Sequence, residues 1–451
     1  MHRRTHHGRG RRPLPAALLG LLAATLLLGG CDLDTLLEAE DPFSVTPGTA
    51  RDTANLTTLY AGSRSQFALS YAGQQNREGG IVMMSGLMSD ELYSSDSFTS
   101  RWEIDTRTVN YDGLTAASDH SFIYLQRARA EALNAIDVFE GSPREGNDQH
   151  AELYNIAGYS VTLLAENFCS GIPLSRITES GVVFGEPLST QELYELAIGY
   201  FDDAIAQPDG GAYQQQISSV GKARALLDLG RFAEAAKVAA QVPDGMEPFL
   251  IEYASGSFET PNAVFNMINE ERRFSVALQE GTGNQGLPFG SVAAGDPRIE
   301  LDPNPVTGNA GIDTYLQLKY PSQSAPIPLA TALEARLIEA EAALDMGASG
   351  AYLGILNDLR ADVGLGALAD PGTAAARVDQ FFAERAYFLW LTGHRLSDLR
   401  RLIRQYGRTQ DQVFPTGVTP YGLAYGTDVS MPVPFEEVNN PNYTGCTDTG
   451  A

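Results

Sequence analysis

Residues 220–242 constrain the fold more than any other stretch of the chain. Val220 to Leu227 places apolar and small residues at helical spacing, Leu229-Gly230-Arg231-Phe232 interrupts the pattern, and the residues up to Val242 resume it before Pro243 ends it. Apolar positions recurring every three and four residues define one face of a helix. Glycine at the interruption permits the backbone angles of a tight turn between antiparallel helices. Ala223, Ala225, Leu226, Ala235, Ala236 and Ala239 keep the facing surfaces small, so the two helices can approach closely. A chain built on such hairpins buries its core by stacking neighbouring helices rather than by pairing strands.

The pattern recurs. Helices are expected over Ala50–Tyr71, Ser118–Phe139, His150–Phe168 and Ser189–Ala206, the last capped by Ser189 or Thr190. Ala325–Met346 and Ala351–Val363 form a second pair, and Ala374–Tyr406 a long final helical region bent at Gly393. The pairs resemble tetratricopeptide-type hairpins. The expected fold class is mainly α, with a tetratricopeptide-like helical hairpin scaffold at about 118–243 and 325–406. Loop-rich insertions fall at about 73–117, 245–324 and 409–451, where Gly, Pro, Ser and Asn accumulate. Loops this long in a compact protein carry function or small strands.

The first 30 residues belong to targeting, not to the fold. Five arginines precede an apolar run, Ala16 to Leu28, that is too short to span a bilayer. It ends in Leu28-Gly29-Gly30-Cys31, which resembles the lipobox of bacterial lipoproteins. That motif implies cleavage before Cys31 and acyl chains on its sulfur, enough for stable anchoring in a membrane. Residues 31–48 then form an acidic, proline-containing tether, and 49–451 the folded domain. Export also bears on the two remaining thiols. Free cysteines are a liability in an oxidising compartment, so Cys169 and Cys446 are expected to pair.

Charge and motif content exclude several functions. Without residues 1–30 the chain keeps 26 basic residues against 56 acidic ones, a net charge of −30. Such a body repels phosphate backbones, so no nucleic acid is expected as a partner. His120, His150 and His394 lack metal-type spacing. Neither a phosphate loop nor a nucleophile elbow is present, and no cofactor is expected. Glu384, Arg385, Arg395 and Asp398 could suggest acid–base chemistry. Arg395 and Asp398, three apart on one helical face, are instead read as partners in a structural ion-pair network.

Four ordered segments carry a family resemblance. They are Asn55-Leu56-Thr57-Thr58-Leu59-Tyr60-Ala61-Gly62, Leu337 to Ala342 with Leu356-Asn357-Asp358-Leu359-Arg360, Glu384-Arg385 with Gly393 to Arg401, and Met431-Pro432-Val433-Pro434-Phe435. With the lipobox, this set resembles the SusD/RagB-like outer-membrane lipoproteins. Phe388 and Thr392 stand where that family usually has glutamates. The resemblance implies a non-enzymatic protein at the outer membrane, lipid-anchored and facing the cell surface. It implies capture of a nutrient, glycan or peptide, for a SusC-like TonB-dependent transporter barrel. A tetratricopeptide-type envelope adaptor and a lipid-anchored glycoside hydrolase are the alternatives. An adaptor would show regular repeats and short loops, and a hydrolase would need a cleft with convergent carboxylates.

Sugar rings stack on aromatic faces while their hydroxyls need polar partners. The segment from Asp90 to Tyr111 combines both, which makes Tyr93, Arg101, Trp102 and Tyr111 the candidate ligand-binding residues. The resemblance also places the loops after the first helix on the binding face. Tyr315, Tyr320, Tyr421 and Tyr425 are weaker candidates.

Overall fold

A computed structural model describes residues 55–74, 79–109, 118–178, 181–256, 261–284 and 286–451. Cys31, the tether and Tyr111 lie outside the described residues. In chain order the principal helices are α1 (Leu56–Ala72), α2 (Ile81–Met88), α3 (Thr99–Asp105), α4 (Asp119–Phe139), α5 (Asp148–Asn167) and α6 (Thr190–Ile205). They continue with α7 (Gly211–Asp228), α8 (Phe232–Ala239), α9 (Ala332–Asp345), α10 (Ser349–Asp362), α11 (Ala374–Phe388) and α12 (Arg395–Arg404). The protein is mainly α-helical.

The scaffold grows by neighbour-on-neighbour packing. α1 packs on α4, α4 on α5, α5 on α6, α6 on α7, α7 on α8, α8 on α9, and α9 on α10. That succession is the logic of a helical repeat stack. α5 is the central member: every residue from Asn155 to Asn167 is buried, so it shows no amphipathic stripe. Its start is fixed by Asn147, whose side chain accepts the His150 amide at 2.9 Å. Glycines set the spacing. Phe201 of α6 lies between Gly158 of α5 and Gly221 of α7, and a Cβ at either glycine would run into its ring.

α12 crosses this stack and touches both α2 and α5. All residues from Arg395 to Leu402 are buried, although four of the eight are charged. Buried charges must be paired and hydrogen-bonded. Arg385 Nε donates to both Asp398 oxygens at 2.9 Å, and Arg401 joins Asp398 (2.9 Å) to Glu341 (2.6 and 3.0 Å). Glu384 receives Arg298 (2.7 Å) and Arg360 (2.8 Å). Arg395 does not bond Asp398. Its guanidinium holds Asp90 through two bonds of 2.6 and 2.8 Å, while Asp398 is already occupied by Arg385 and Arg401. Glu384, Arg385, Arg395 and Asp398 thus fall into separate ion-pair clusters rather than one network, and the Arg395–Asp90 pair ties α12 to the loop after α2.

Four other expectations change. Ile327–Ala330 is a strand antiparallel to Phe249–Ile251, and α9 starts only at Ala332, capped by Thr331. Pro328 lacks the amide a helix would need there. α7 begins at Gly211, well before Val220, because Gln214 to Gln216 break the apolar rhythm. α2 lies inside a stretch expected to be irregular; its eight residues are all buried and leave no periodicity. The final helical region is two helices, separated where Leu391 and Gly393 hold φ of 53° and 77°.

The three irregular regions meet one another. Leu92–Ser94 pairs antiparallel with Phe274–Val276, joining the first to the second. Arg107 donates to the carbonyls of Pro415, Gly426 and Asp428 at 2.9–3.1 Å, joining the first to the third. A disulfide links Cys169, just past α5, to Cys446 in the tail.

Candidate ligand-binding face

α3 begins after Phe98 and carries Trp102 one turn on. Phe98 is 55% exposed and Trp102 half-buried, so both rings border solvent. The tail loop lays Tyr421 against Trp102, with ring centroids 5.5 Å apart and planes at 33°. Gly417 and Gly422 turn this loop with φ of 86° and 92°. Arg107 anchors it from below, 4.8 Å over the Phe414 ring. Ser97 and Asn309 lie exposed beside Phe98, bonded to each other at 3.3 Å. Trp102 and Tyr421 are in ring contact, and Phe98, four residues before Trp102 with Arg101 and Arg273 at 5.1 and 5.6 Å from its ring centroid, makes up with them an aromatic row with a polar border.

The sequence candidates divide. Trp102 is on the row, and its Nε1 donates to the Asp96 carbonyl, which leaves only its ring face for a ligand. Tyr93 and Arg101 are corrected to supporting positions, being 5% and 3% exposed. The Tyr93 hydroxyl donates to the Asp313 carbonyl, and its ring lies 6.3 Å from Tyr421. Arg101 pairs with Asp96, which Arg273 also holds at 3.1 Å. Burial of these pairs removes their polar atoms from reach. Tyr320 is buried with its hydroxyl on the Leu391 carbonyl (2.8 Å), and Tyr315 is half-buried.

Beneath the row lie two carboxylates that sequence reasoning missed. Asp105 accepts the Ser94 amide at 2.6 Å and the Tyr421 hydroxyl. Glu280 accepts the Tyr425 hydroxyl at 2.9 Å. Burial pushes the Asp105 carboxyl up to about 7, opposed by the Ser94 amide and the Tyr421 hydroxyl. Burial, with the nearby charge of Asp105, also pushes Glu280 well above the usual carboxylate range. Both side chains are fully enclosed, so they act on the row from below and do not meet a ligand. Phe98 was legible in principle: aromatic residues four apart share a helical face. No sequence signal marked Asp105 or Glu280.

The remaining clusters are internal. Thr392, His394 and Glu334 contact one another in series, but all three are at most 5% exposed. The Thr392 hydroxyl donates to the Leu389 carbonyl, and Arg224 holds Glu334 through bonds of 2.5 and 2.6 Å. Burial pushes Glu334 up, yet the charges and hydrogen bonds of Arg224 and His394 carry it well below the carboxylate range. Among the described residues no group of three or more His, Cys, Asp or Glu is placed to hold a metal ion. His150 is buried and accepts the Gly146 amide at 2.9 Å.

No sequence-family model matches the chain, and no curated protein matches it. Solved structures do match in fold. A SusD superfamily protein from Parabacteroides distasonis superposes with a TM-score of 0.65 at 14% identity, covering 90% of this chain and 100% of its own. A putative sugar-binding protein from Bacteroides vulgatus gives 0.65 at 14%, over 88% and 98%. A laminarin-binding SusD-like protein gives 0.61 at 16%, over 87% and 99%. At such identities the likeness is one of fold, and it spans nearly the whole length of each relative.

Proposed function

From a SusD-superfamily fold that presents this aromatic row, we propose that the chain is a non-catalytic, lipid-anchored glycan-binding protein of the outer-membrane surface. It captures a saccharide and passes it to a TonB-dependent transporter barrel. The observation that carries this reading is the exposed ring of Phe98 near the half-buried Trp102, which Tyr421 backs. A sugar ring has an apolar face for those rings, while Ser97 and Asn309 supply hydrogen bonds at the border. The sugar-binding and laminarin-binding relatives of the same fold favour a glycan over a peptide as cargo.

The test is binding of the detergent-solubilised full chain to a panel of glycans, laminarin among them, and of peptides. Loss of one aromatic platform removes about 1 kcal/mol or more of stacking. Trp102→Ala and Phe98→Ala should each weaken glycan binding roughly fivefold or more. Phe98→Ala, at an exposed position, keeps the thermal midpoint, which separates lost contact from lost fold. Unchanged glycan affinity in both variants, preference for peptides, or release of new reducing ends would overturn the proposal.

A further inference from the structure

The N-terminus of α6 opens onto a cavity of about 460 Å³, far in sequence from the aromatic row. α12 and the end of α7 form its other walls, and tail residues from Asp448 onward its rim. Thr190 and Gln191 stand in the first turn of α6, where leading amides carry the positive end of the helix dipole. Ser189 and Glu192 cap each other, and the Thr190 amide donates to Ser170 Oγ at 3.1 Å.

Tyr194 lines the same cavity one turn on. It is 1% exposed, and its hydroxyl has no hydrogen-bond partner. A buried hydroxyl left in that state is destabilising, a penalty that phenylalanine would avoid. Arg404 lines the same cavity; its Nη2 is ion-paired with Asp228 Oδ1 at 3.7 Å but is buried without a hydrogen bond. Arg400 is held into the wall by the carbonyls of Ala165 and Glu166 at 3.1 and 2.6 Å.

Two carboxylates face the cavity, and both are engaged. Asp228 Oδ1 accepts the Ser397 hydroxyl at 2.9 Å and lies 3.6 Å from Arg401. Asp448 Oδ1 accepts the Gly450 amide at 2.8 Å. The groups without a hydrogen-bond partner are donors, the Tyr194 hydroxyl and the Arg404 Nη2 edge, and they stand beside the capped, positive end of α6. A donor set in a roomy cavity matches an acceptor with several lone pairs and a negative charge.

We propose that this cavity is a second binding site, in which Tyr194 and Arg404 hold a carboxylate at the N-terminus of α6. The carboxylate belongs to an acidic sugar or to a small free acid; both present the same two oxygens. The site does not depend on the aromatic row.

Calorimetry on the detergent-solubilised full chain tests it with three probes: glucuronate, acetate and the neutral control glucose. Glucuronate should bind, and Tyr194→Phe and Arg404→Gln should each weaken it tenfold or more. Tyr194→Phe keeps the ring and removes an unpartnered hydroxyl, so its fold should hold and its midpoint should not fall. Acetate has no ring to stack on the aromatic row, so Trp102→Ala should leave acetate binding unchanged, and failure at one site is told apart from failure at the other. Acetate binding as tightly as glucuronate supports a site for any carboxylate, and weaker acetate supports an acidic sugar. Loss of glucose binding equal to that of glucuronate in Tyr194→Phe and Arg404→Gln, no binding of either acid, or unaltered acid affinity in both variants overturns the proposal.

Discussion

At Asp105, burial and hydrogen bonding act in opposite directions. The side chain is fully enclosed beneath Trp102 and Tyr421, and burial outweighs its two donors, raising the carboxyl to about 7. In the unfolded chain the same group titrates near 3.8. A folded value above the unfolded one means stability that is complete below about pH 4 and is lost as pH rises through about 7. Glu91 behaves alike, raised to about 8 chiefly by burial. Asp105→Asn removes one of these titrations. Urea unfolding at about pH 5.5 and 8.5 should show the wild type losing stability on the alkaline side. The variant should lose less, by roughly a few kcal/mol. Equal losses in both proteins would refute this account of Asp105. Such residues are hard to read from sequence, since an aspartate in a short helix looks like a solvated one. Tyr421 was named only as a weak candidate, because nothing in a turn-rich tail shows which aromatic folds back onto Trp102.

Helices become legible in proportion to how one-sided they are. α4 and α6 are legible because apolar residues recur at helical spacing or a good N-cap marks the start, as Ser189 does, whereas α5, buried on every side from Asn155 on, is legible through the length of its run. α2 was missed because all its faces are buried, and α7 started early because a polar run conceals Gln214, which is buried and bonded to Asn155. The small-residue faces were legible, and their purpose is visible at Phe201. Gly158 and Gly221 form a notch on each side of that ring, and a methyl group at Gly221 would also approach Tyr159 at 2.9 Å. Helix propensity alone would favour alanine there by about 1 kcal/mol. Steric conflict reverses the sign, and Gly221→Ala should destabilise the protein by about 1–3 kcal/mol. Phe201→Leu should cost less in the Gly221→Ala background than alone, since the smaller side chain relieves the clash. Strict additivity of the two in chemical unfolding would show that the notch does not set helix spacing.

At the scale of the whole molecule, scaffold and irregular regions hold together through contacts that no local pattern announces. Arg395 reaches Asp90 across 305 positions, and the strand pairing of Leu92–Ser94 with Phe274–Val276 spans three residues. The ordered set of motifs was enough to anticipate a SusD-like fold, whereas these joints were not legible. Charge carries the final consequence. The segment 31–48 holds five acids and neither lysine nor arginine, and the chain after residue 30 has a net charge of −30. Anionic lipid headgroups repel such a body, so electrostatics cannot supply the second signal that peripheral proteins use. On the proposed anchoring, acyl chains on Cys31 are the sole hold. Membranes washed in about 1 M salt, where screening acts over roughly 3 Å, should retain the wild-type chain. Cys31→Ala should move the protein to the soluble fraction. Mild detergent extraction of the wild type should bring a TonB-dependent barrel with it, and salt-released or barrel-free wild-type protein would count against both anchor and partner.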